Sequence, residues 1–115
     1  DALVEVQAES HPYFTRDGLD IRIDVPITLM EAVLGGKVNV PTIHGTVAVT
    51  VPAGSSSGKI LRLKGRGISK GGQKGDEFAR LMIQLPETMD PKLKEFVLSW
   101  SKEGDYEPRK KVGFE

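Results

Sequence analysis

Residues 51–67 read VPAGSSSGKILRLKGRG, a stretch whose glycines first suggest a phosphate-binding loop. Such a loop needs four residues between its glycines and a serine or threonine directly after its lysine. Here three residues separate Gly54 from Gly58, and Ile60 follows Lys59. The spacing therefore excludes a phosphate loop of this type.

The same stretch contains the alternation expected of a β-strand. Leu61 and Leu63 alternate with Arg62 and Lys64, and glycines stand on both sides. Apolar and polar residues that alternate with a period of two are typical of a half-buried strand. We therefore predict a strand between glycine-rich turns, and we interpret the three serines at 55–57 as a flexible hairpin tip.

Further stretches alternate in the same way and predict more strands. They are Val4–Ala8, Ile21–Val25, Val38–Val40, Val47–Val51 and Leu81–Leu85. Pro26 is expected to end the second of these. The third and fourth form a hairpin pattern around residues 41–45, where Gly45 can supply a positive φ.

Two helices interrupt or follow these strands. Thr28 and Glu31 form the capping-box pattern, and Gly35 stops that helix after about two turns. Asp90, followed by a proline, is a helix N-cap, and Gly104 is a suitable end for the second helix. Residues 105–115 are predicted to form an extended polar tail. The predicted fold class is mainly β: a small β-sandwich-like domain with one short internal helix, followed by a C-terminal helix.

Composition narrows the class of protein. The 115 residues support one domain or one domain with an appendage, the net charge is zero, and cysteine is absent. No signal peptide or membrane-length apolar run is present, so we expect a cytoplasmic protein without a membrane partner. Because the chain begins inside a strand-like pattern at Asp1, we expect it to be part of a longer protein.

Charge is segregated along the chain. Six cations occur without an intervening acid, namely Lys59, Arg62, Lys64, Arg66, Lys70 and Lys74. Such a run is usually a solvated strand face, but it could also contact nucleic acid by releasing counterions. The run contains no aromatic residue to stack on a base, so single-strand binding is not expected, whereas contact with a duplex backbone stays open.

No catalytic or metal-binding pattern emerges. His11 and His44 are the only histidines, and without cysteine they do not make a zinc site. The serines at 55–57 lack a nucleophile elbow and an evident base. We therefore expect no enzyme activity and no cofactor.

Several motifs together resemble the C-terminal region of DnaJ-type J-domain co-chaperones. They are HPYFTRDGLDI at 11–21, VPITLMEAVLGG at 25–36, VPT at 40–42 with Gly45, Val51-Pro52 with Gly54, GKILRLKGRG at 58–67 and Gly75-Asp76. Their order and spacing match the family over most of residues 1–98. The resemblance implies the last strand of a preceding β-domain and a linker at 1–12, the second C-terminal β-domain at 13–87, a dimerisation helix at 88–104 and a polar tail at 105–115.

The resemblance also implies a function and partners. The chain is expected to be a homodimeric module that helps to bind unfolded client polypeptides and, through its parent protein, delivers them to a DnaK-type chaperone. DNA is a further possible partner, because some zinc-free relatives of DnaJ bind it. The J-domain with its His-Pro-Asp loop, the zinc module and most of the first β-domain are not in this sequence.

The second helix carries the residues that this resemblance assigns to dimerisation. They are Leu93, Phe96, Val97 and Trp100, spaced as one apolar stripe, with Leu98 beside it. For an unknown sequence, packing of this stripe onto its own domain would be the simpler interpretation. The family resemblance favours an isologous contact with a second copy.

Overall fold

The structure is a computed structural model that describes residues 12–104 and 106–114. The chain divides into two compact units, Asp1–Gln84 and Leu85–Glu115. The predicted strand at Val4–Ala8 lies outside the described residues. In the rest of the chain strands dominate and helices are short, which confirms the predicted mainly β class.

The described part of the first unit contains eight strands and one helix. They are β1 (Phe14–Asp17), β2 (Asp20–Ile27), α1 (Leu29–Leu34), β3 (Gly36–Thr42), β4 (Gly45–Val51), β5 (Ile60–Leu63), β6 (Ser69–Lys70), β7 (Gln73–Lys74) and β8 (Glu77–Ile83). Four of the strands form one sheet in the order β1-β2-β8-β5. Strands β3 and β4 form a separate hairpin, and β6 and β7 form a small one.

The four-stranded sheet is mixed. Strands β2 and β8 pair in parallel, from Ile21 opposite Glu77 to Ile27 opposite Ile83, whereas the other pairs are antiparallel. Because the paired residues of β2 and β8 lie 56 positions apart along the chain, local patterns gave no prediction of this pairing.

One hydrophobic core joins the sheet, the β3–β4 hairpin and α1. Side chains at alternate positions of β2 are buried, as the period-two pattern predicted. The buried apolar residues are Phe14, Ile21, Ile23, Val25, Ile27, Ala32, Val40, Val51, Leu63, Ile68, Ala79 and Leu81. The core therefore lies on one face of the sheet and leaves the other face, with its charged residues, to solvent.

The expected end of β2 at Pro26 is wrong, because the strand continues to Ile27. The amide of Ile21 donates to the carbonyl of Asp76 on the β8 side. Since amide directions alternate along a strand, position 26 points to the other side, beyond the last residue of β2 that pairs with β1. A proline there removes no sheet hydrogen bond.

The last strand of the unit begins and ends earlier than predicted, since β8 runs from Glu77 to Ile83 rather than from Leu81 to Leu85. The carbonyl of Ile27, the last residue of β2, accepts from the amide of Gln84 at 2.9 Å. Beyond this bond β2 offers no further partner, and Leu85 is exposed.

The first helix follows the prediction closely. The Thr28 hydroxyl accepts from the Glu31 amide at 3.1 Å, and the Glu31 carboxylate accepts from the Thr28 amide at 2.9 Å. Gly35 ends the helix at φ +79°, where a Cβ would lie 2.8 Å from the Val51 carbonyl oxygen. Only glycine fits this combination of backbone angle and close approach.

The serines at 55–57 do not form a free hairpin tip. Ser55 is buried, and its hydroxyl donates to the Pro52 carbonyl at 2.5 Å. The Ser57 hydroxyl accepts from the Ile83 amide at 2.8 Å. The serines therefore attach the β4–β5 loop to the body of the unit, because hydroxyl groups can satisfy backbone groups that the strands leave unpaired.

The second unit contains α2 (Pro91–Ser101) and α3 (Pro108–Lys111). The Asp90 carboxylate accepts from the Lys92 amide at 2.8 Å, and Pro91 occupies the first turn, so the predicted start of α2 is confirmed. The expected extended polar tail is wrong in part. It contains the single turn of α3 and the exposed apolar residues Tyr106, Val112 and Phe114.

Candidate functional site

The first candidate surface is the α2 stripe, which consists of Leu93, Phe96, Val97 and Trp100. Leu93 is half-buried, whereas Phe96 is 67% exposed and Trp100 is 49% exposed. Val97 and the neighbouring Leu98 are exposed as well, and no residue of this helix is buried. Adjacent exposed apolar side chains on one helix are typical of an interaction surface.

The end of α2 holds Trp100 in place. The amide of Gly104 donates to the Trp100 carbonyl at 2.9 Å, and a Cβ on Gly104 would lie 3.0 Å from the indole ring. The Tyr106 ring lies 6.1 Å from the indole, centroid to centroid. Trp100 is thus oriented by its own unit while about half of it stays accessible.

The second candidate surface is the basic run, which the structure divides into two parts. Arg62 is paired with Asp76 at 2.6 Å on the solvent side of β5. The second carboxylate oxygen of Asp76 accepts from the Gly65 amide at 2.8 Å. The Gly65 amide, followed by Arg62, lowers the pKa of Asp76. Arg62 therefore serves the turn after β5, and its charge is compensated.

Three other cations of the run lie around one small cavity of about 480 Å³, which we name the basic pocket. Its lining residues are His44, Lys64, Gly65, Arg66, Ser69 and Lys74. His44 comes from the turn between β3 and β4, so this hairpin meets the basic run here. Lys59 and Lys70 are exposed and do not line the pocket.

A third surface was not identified from the sequence. It is a groove of about 720 Å³ on the solvent face of the four-stranded sheet, which we name the sheet groove. Tyr13, Ile60 and Phe78 supply apolar surface, and Asp24 and Arg80 supply a charged pair. Arg80 donates two hydrogen bonds to Asp24, at 2.9 and 3.0 Å, and these bonds lower the pKa of Asp24.

The sheet groove was missed because its residues come from strands that are distant in sequence. Phe78 stands next to Arg22 on β2 and next to Arg62 on β5 in the sheet register. In the sequence, Phe78 is a single apolar residue at a position that alternates with the buried positions of β8. This alternation could have identified the sheet groove, because it places an aromatic ring on the solvent face of the sheet.

Glu77 is a further residue that the sequence analysis passed over. It is completely buried on the core face of β8, beside Ile21 of β2 and Leu63 of β5. Neither carboxyl oxygen has a hydrogen-bond partner among the described residues. Burial raises the pKa of Glu77 to about 7. It has the same phase as Leu81, so the alternation of β8 could have identified it.

Neither metal ligation nor a membrane span is indicated in the described ranges. No group of three or more histidine, cysteine or acidic residues is close enough to hold a metal ion within residues 12–104 and 106–114. Across the same ranges, no helix has both the length and the hydrophobicity to cross a bilayer.

Known proteins resemble this chain over most of its length. A family model described as DnaJ C terminal domain matches residues 1–86. A chaperone protein DnaJ of Clostridioides difficile is 39% identical over 105 residues, which is 90% of this chain and 27% of the relative. A curved DNA-binding protein of Coxiella burnetii is 38% identical over 112 residues, covering 97% of this chain and 36% of the relative.

A chaperone protein DnaJ of Ruminiclostridium cellulolyticum is 36% identical over 117 residues, covering 99% of this chain and 31% of the relative. The chain thus spans about a quarter to a third of the length of these curated relatives. The family match covers the first unit, Asp1–Gln84, which we call the β unit, and ends before α2 begins. The resemblance read from the sequence motifs is confirmed: this chain belongs to the DnaJ family and carries its C-terminal domain.

Proposed function

We propose that this chain is the polypeptide-binding and dimerisation module of a DnaJ-type co-chaperone that delivers unfolded clients to a DnaK-type chaperone. Membership of the DnaJ family supports this role, and the exposed α2 stripe is the observation that carries the dimerisation part. The proposal includes no catalysis and places the module in the cytoplasm. It assigns holding and positioning to surfaces rather than to reactive groups.

Dimerisation follows from the exposed apolar residues of the second unit. An 11-residue helix is only about 16 Å long, so its stripe alone falls short of the roughly 800 Å² that each partner of a stable interface buries. The tail adds Tyr106, Val112 and Phe114, which are exposed in the same unit. We therefore assign the contact to α2 together with this tail, with Phe96 and Trp100 as aromatic anchors.

Sedimentation velocity tests the dimer. We expect the chain to sediment as a dimer, and the Phe96→Ala, Trp100→Ala double variant to dissociate at least about 100-fold more readily, because two aromatic anchors are lost. The matched control is Glu95→Ala with Ser99→Ala, on the side of α2 away from the stripe, which should leave the dimer unchanged. A monomeric wild-type chain at high concentration would contradict this part of the proposal.

The sheet groove is the surface that we assign to client polypeptide. Ile60 and Tyr13 are about half exposed at its two sides, and Phe78 lies half-buried between them. Among the residues that the structure describes, β1 and β5 are the edge strands of the sheet, so an extended peptide could also pair with one of them. Apolar contact and edge pairing together suit unfolded segments of many sequences.

Client binding can be measured with a fluorescent, reduced and carboxymethylated model protein that cannot refold. Ile60→Ser with Phe78→Ser should weaken binding by roughly 100-fold or more, because each removes an apolar contact worth about 1.5 kcal/mol or more. The control is Thr15→Ser, a small change on the same face. Equal binding by the double variant and the wild-type chain would remove the groove from the proposal.

A second candidate function is association with duplex DNA through the basic pocket, which holds half of the cations in the predicted 59–74 run. The charges of the basic pocket favour it, and one group of relatives bears the name curved DNA-binding protein. Salt separates the two functions. Client binding through apolar contacts should persist at moderate salt, whereas binding to phosphates should fall steeply with salt.

A further inference from the structure

The arginines of the β unit differ in whether an acid compensates them. Arg22 is paired with Asp17 at 3.0 Å, Arg62 with Asp76 at 2.6 Å and Arg80 with Asp24 at 2.9 Å. Arg66 is half-buried, yet it forms no ion pair with the residues that the structure describes. Its charge is therefore available to a ligand.

The neighbours of Arg66 in the basic pocket share this property. Lys64 and Lys74 have no ion pair within the described ranges, and no carboxylate lines the cavity. Ser69 contributes a hydroxyl group that can donate a hydrogen bond. Three cations without an ion pair among the described residues line about 480 Å³, which is ample for a tetrahedral oxyanion and its water.

The nearest acid does not oppose an anion in this pocket. Asp76 accepts from the Gly65 amide and from Arg62, so a guanidinium offsets its charge, and it also attracts Lys64 electrostatically. The amide of Asp76 is itself held by the Asp20 carboxylate at 2.9 Å. The three cations of the pocket therefore exceed the one nearby carboxylate, which Arg62 already pairs, and the pocket keeps a net positive charge.

The backbone that carries these cations is fixed in advance. The Ile68 amide donates to the Leu19 carbonyl at 2.7 Å, and the amides of Gly67 and Gly75 donate across the loop at 3.0 and 2.9 Å. Ile68 is buried in the core. A site with a fixed backbone loses less conformational entropy on binding than a mobile loop does.

His44 ties the β3–β4 hairpin to the same loop. Its Nε2 lies 2.7 Å from the Gly67 carbonyl oxygen. Because a carbonyl can only accept, this nitrogen must carry the hydrogen, and Nδ1 is left as the other ring position. The imidazole therefore forms one wall of the pocket.

We propose that the basic pocket is a phosphate site, in which Lys64, Arg66 and Lys74 bind one phosphate group and the Ser69 hydroxyl donates to it. The group can belong to the backbone of duplex DNA or to a free phosphate. Binding of a DNA phosphate depends on the second proposed function, whereas binding of free phosphate does not. The inference assigns Lys59, Arg62 and Lys70 no part in this contact, although they belong to the same run.

Two titrations on the full 115-residue chain test the site. The first titration measures binding to a fluorescent 20-base-pair duplex by anisotropy. It is repeated at salt concentrations from about 0.05 to 0.3 M, a range on the order of physiological ionic strength. The second follows backbone amide NMR shifts of Gly65 and Ser69 as inorganic phosphate is added. The variants are Arg66→Gln and the double variant Lys64→Gln, Lys74→Gln, with Lys59→Gln as the matched control.

Counterion release sets the expected size of the effect. Each phosphate contact contributes a salt slope of about 0.9, so loss of the contact in the double variant should lower the slope by about 0.9 and weaken DNA binding roughly 8-fold at 0.1 M salt, with 1 M salt as the reference. Arg66→Gln leaves two of the three cations and should change the slope and the affinity in the same direction by less. Lys59→Gln should change affinity less than about 2-fold. Amide shifts of Gly65 and Ser69 should saturate with phosphate in the wild-type chain and vanish in the double variant, a result that does not depend on Arg66→Gln folding.

The outcomes separate this inference from the DNA function. If DNA binds and the pocket variants keep the wild-type affinity and slope, the phosphate site is overturned and DNA association stands. If phosphate saturates the pocket and DNA does not bind, the site stands and the DNA function falls. If neither probe binds, both are overturned.

Discussion

Glutamine in place of Glu77 should stabilise this chain above neutral pH and leave its stability in acid nearly unchanged. Glu77 is fully buried between Ile21 and Leu63, and its carboxyl oxygens have no partner among the described residues. Burial without a partner disfavours the charged form far more than the neutral one. Glutamine has nearly the same shape and carries no charge at any pH.

The size of the effect follows from the pKa of Glu77, which burial raises from 4.5 to about 7. Between these two values the folded chain holds a proton that the unfolded chain has released. The free energy of unfolding therefore falls as pH rises from about 4.5 to 7, by about 1.4 kcal/mol per pH unit. The total loss is about 3 kcal/mol, a large part of the roughly 5–15 kcal/mol that stabilises a typical domain.

Urea unfolding at a series of pH values from 4 to 8 measures this effect. Glu77→Gln should match the wild-type chain near pH 4 and exceed it by about 3 kcal/mol at pH 8. Taking the difference between the two proteins removes contributions of other titrating groups, such as Asp24 and Asp76. Glu87→Gln is the matched control, because it makes the same chemical change at an exposed position.

Glu77→Leu extends the test. It removes the polar group as well as the charge, so it should stabilise the chain at pH 4 too, by about 1–3 kcal/mol. The reasoning is refuted if the difference between Glu77→Gln and wild type is the same at pH 4 and pH 8. Such a result would mean that the carboxylate is solvated or paired when it ionises.

Three further predictions concern the β unit. Thr28→Ala should lower the free energy of unfolding by about 1 kcal/mol, because the capping hydroxyl of α1 is lost, and Thr28→Ser should restore most of it in the same urea titration. Gly67→Ala should lower the thermal midpoint sharply, since its Cβ would lie 2.5 Å from the Leu19 carbonyl oxygen, whereas Gly71→Asn in an open turn should be tolerated. Asp76→Asn should destabilise the chain at neutral pH, because it weakens the bonds to Gly65 and Arg62. Because folding lowers the pKa of Asp76, the difference between the variant and the wild type should shrink as pH falls below 3.8. An equal stability of the two proteins at neutral pH would show that these bonds do not stabilise the turn.

The course of the chain through the β unit was predictable where neighbouring residues set the structure. The alternation of Ile21, Ile23 and Val25 placed β2, and the capping box at Thr28 placed α1. Gly45 follows a two-residue turn in the predicted hairpin, at φ +114°. Each of these features depends on backbone preferences and side-chain bonds within a few residues, so the local sequence contains the information.

The errors arose where a residue had a distant partner. Pro26 stays in β2 because its missing amide would face away from β8. The Ser55 amide donates to the Ala32 carbonyl and the Ser57 hydroxyl accepts from the Ile83 amide, so other segments hold this loop. The tail at 105–115 forms a turn of helix despite its polar composition. Local sequence patterns do not indicate which other segment of the chain a strand or loop will contact.

The sequence by itself therefore determined the strand and helix segments, the family and the cation-rich run, since period, capping residues and motif spacing are written along the chain. Tertiary structure alone decided that β2 pairs in parallel with β8, that Arg62 is compensated by Asp76 while Arg66 is not, and that Glu77 is enclosed among Ile21 and Leu63. The physical reason is that burial, desolvation and ion pairing depend on which segments meet in space, and those meetings join residues that are far apart in the chain.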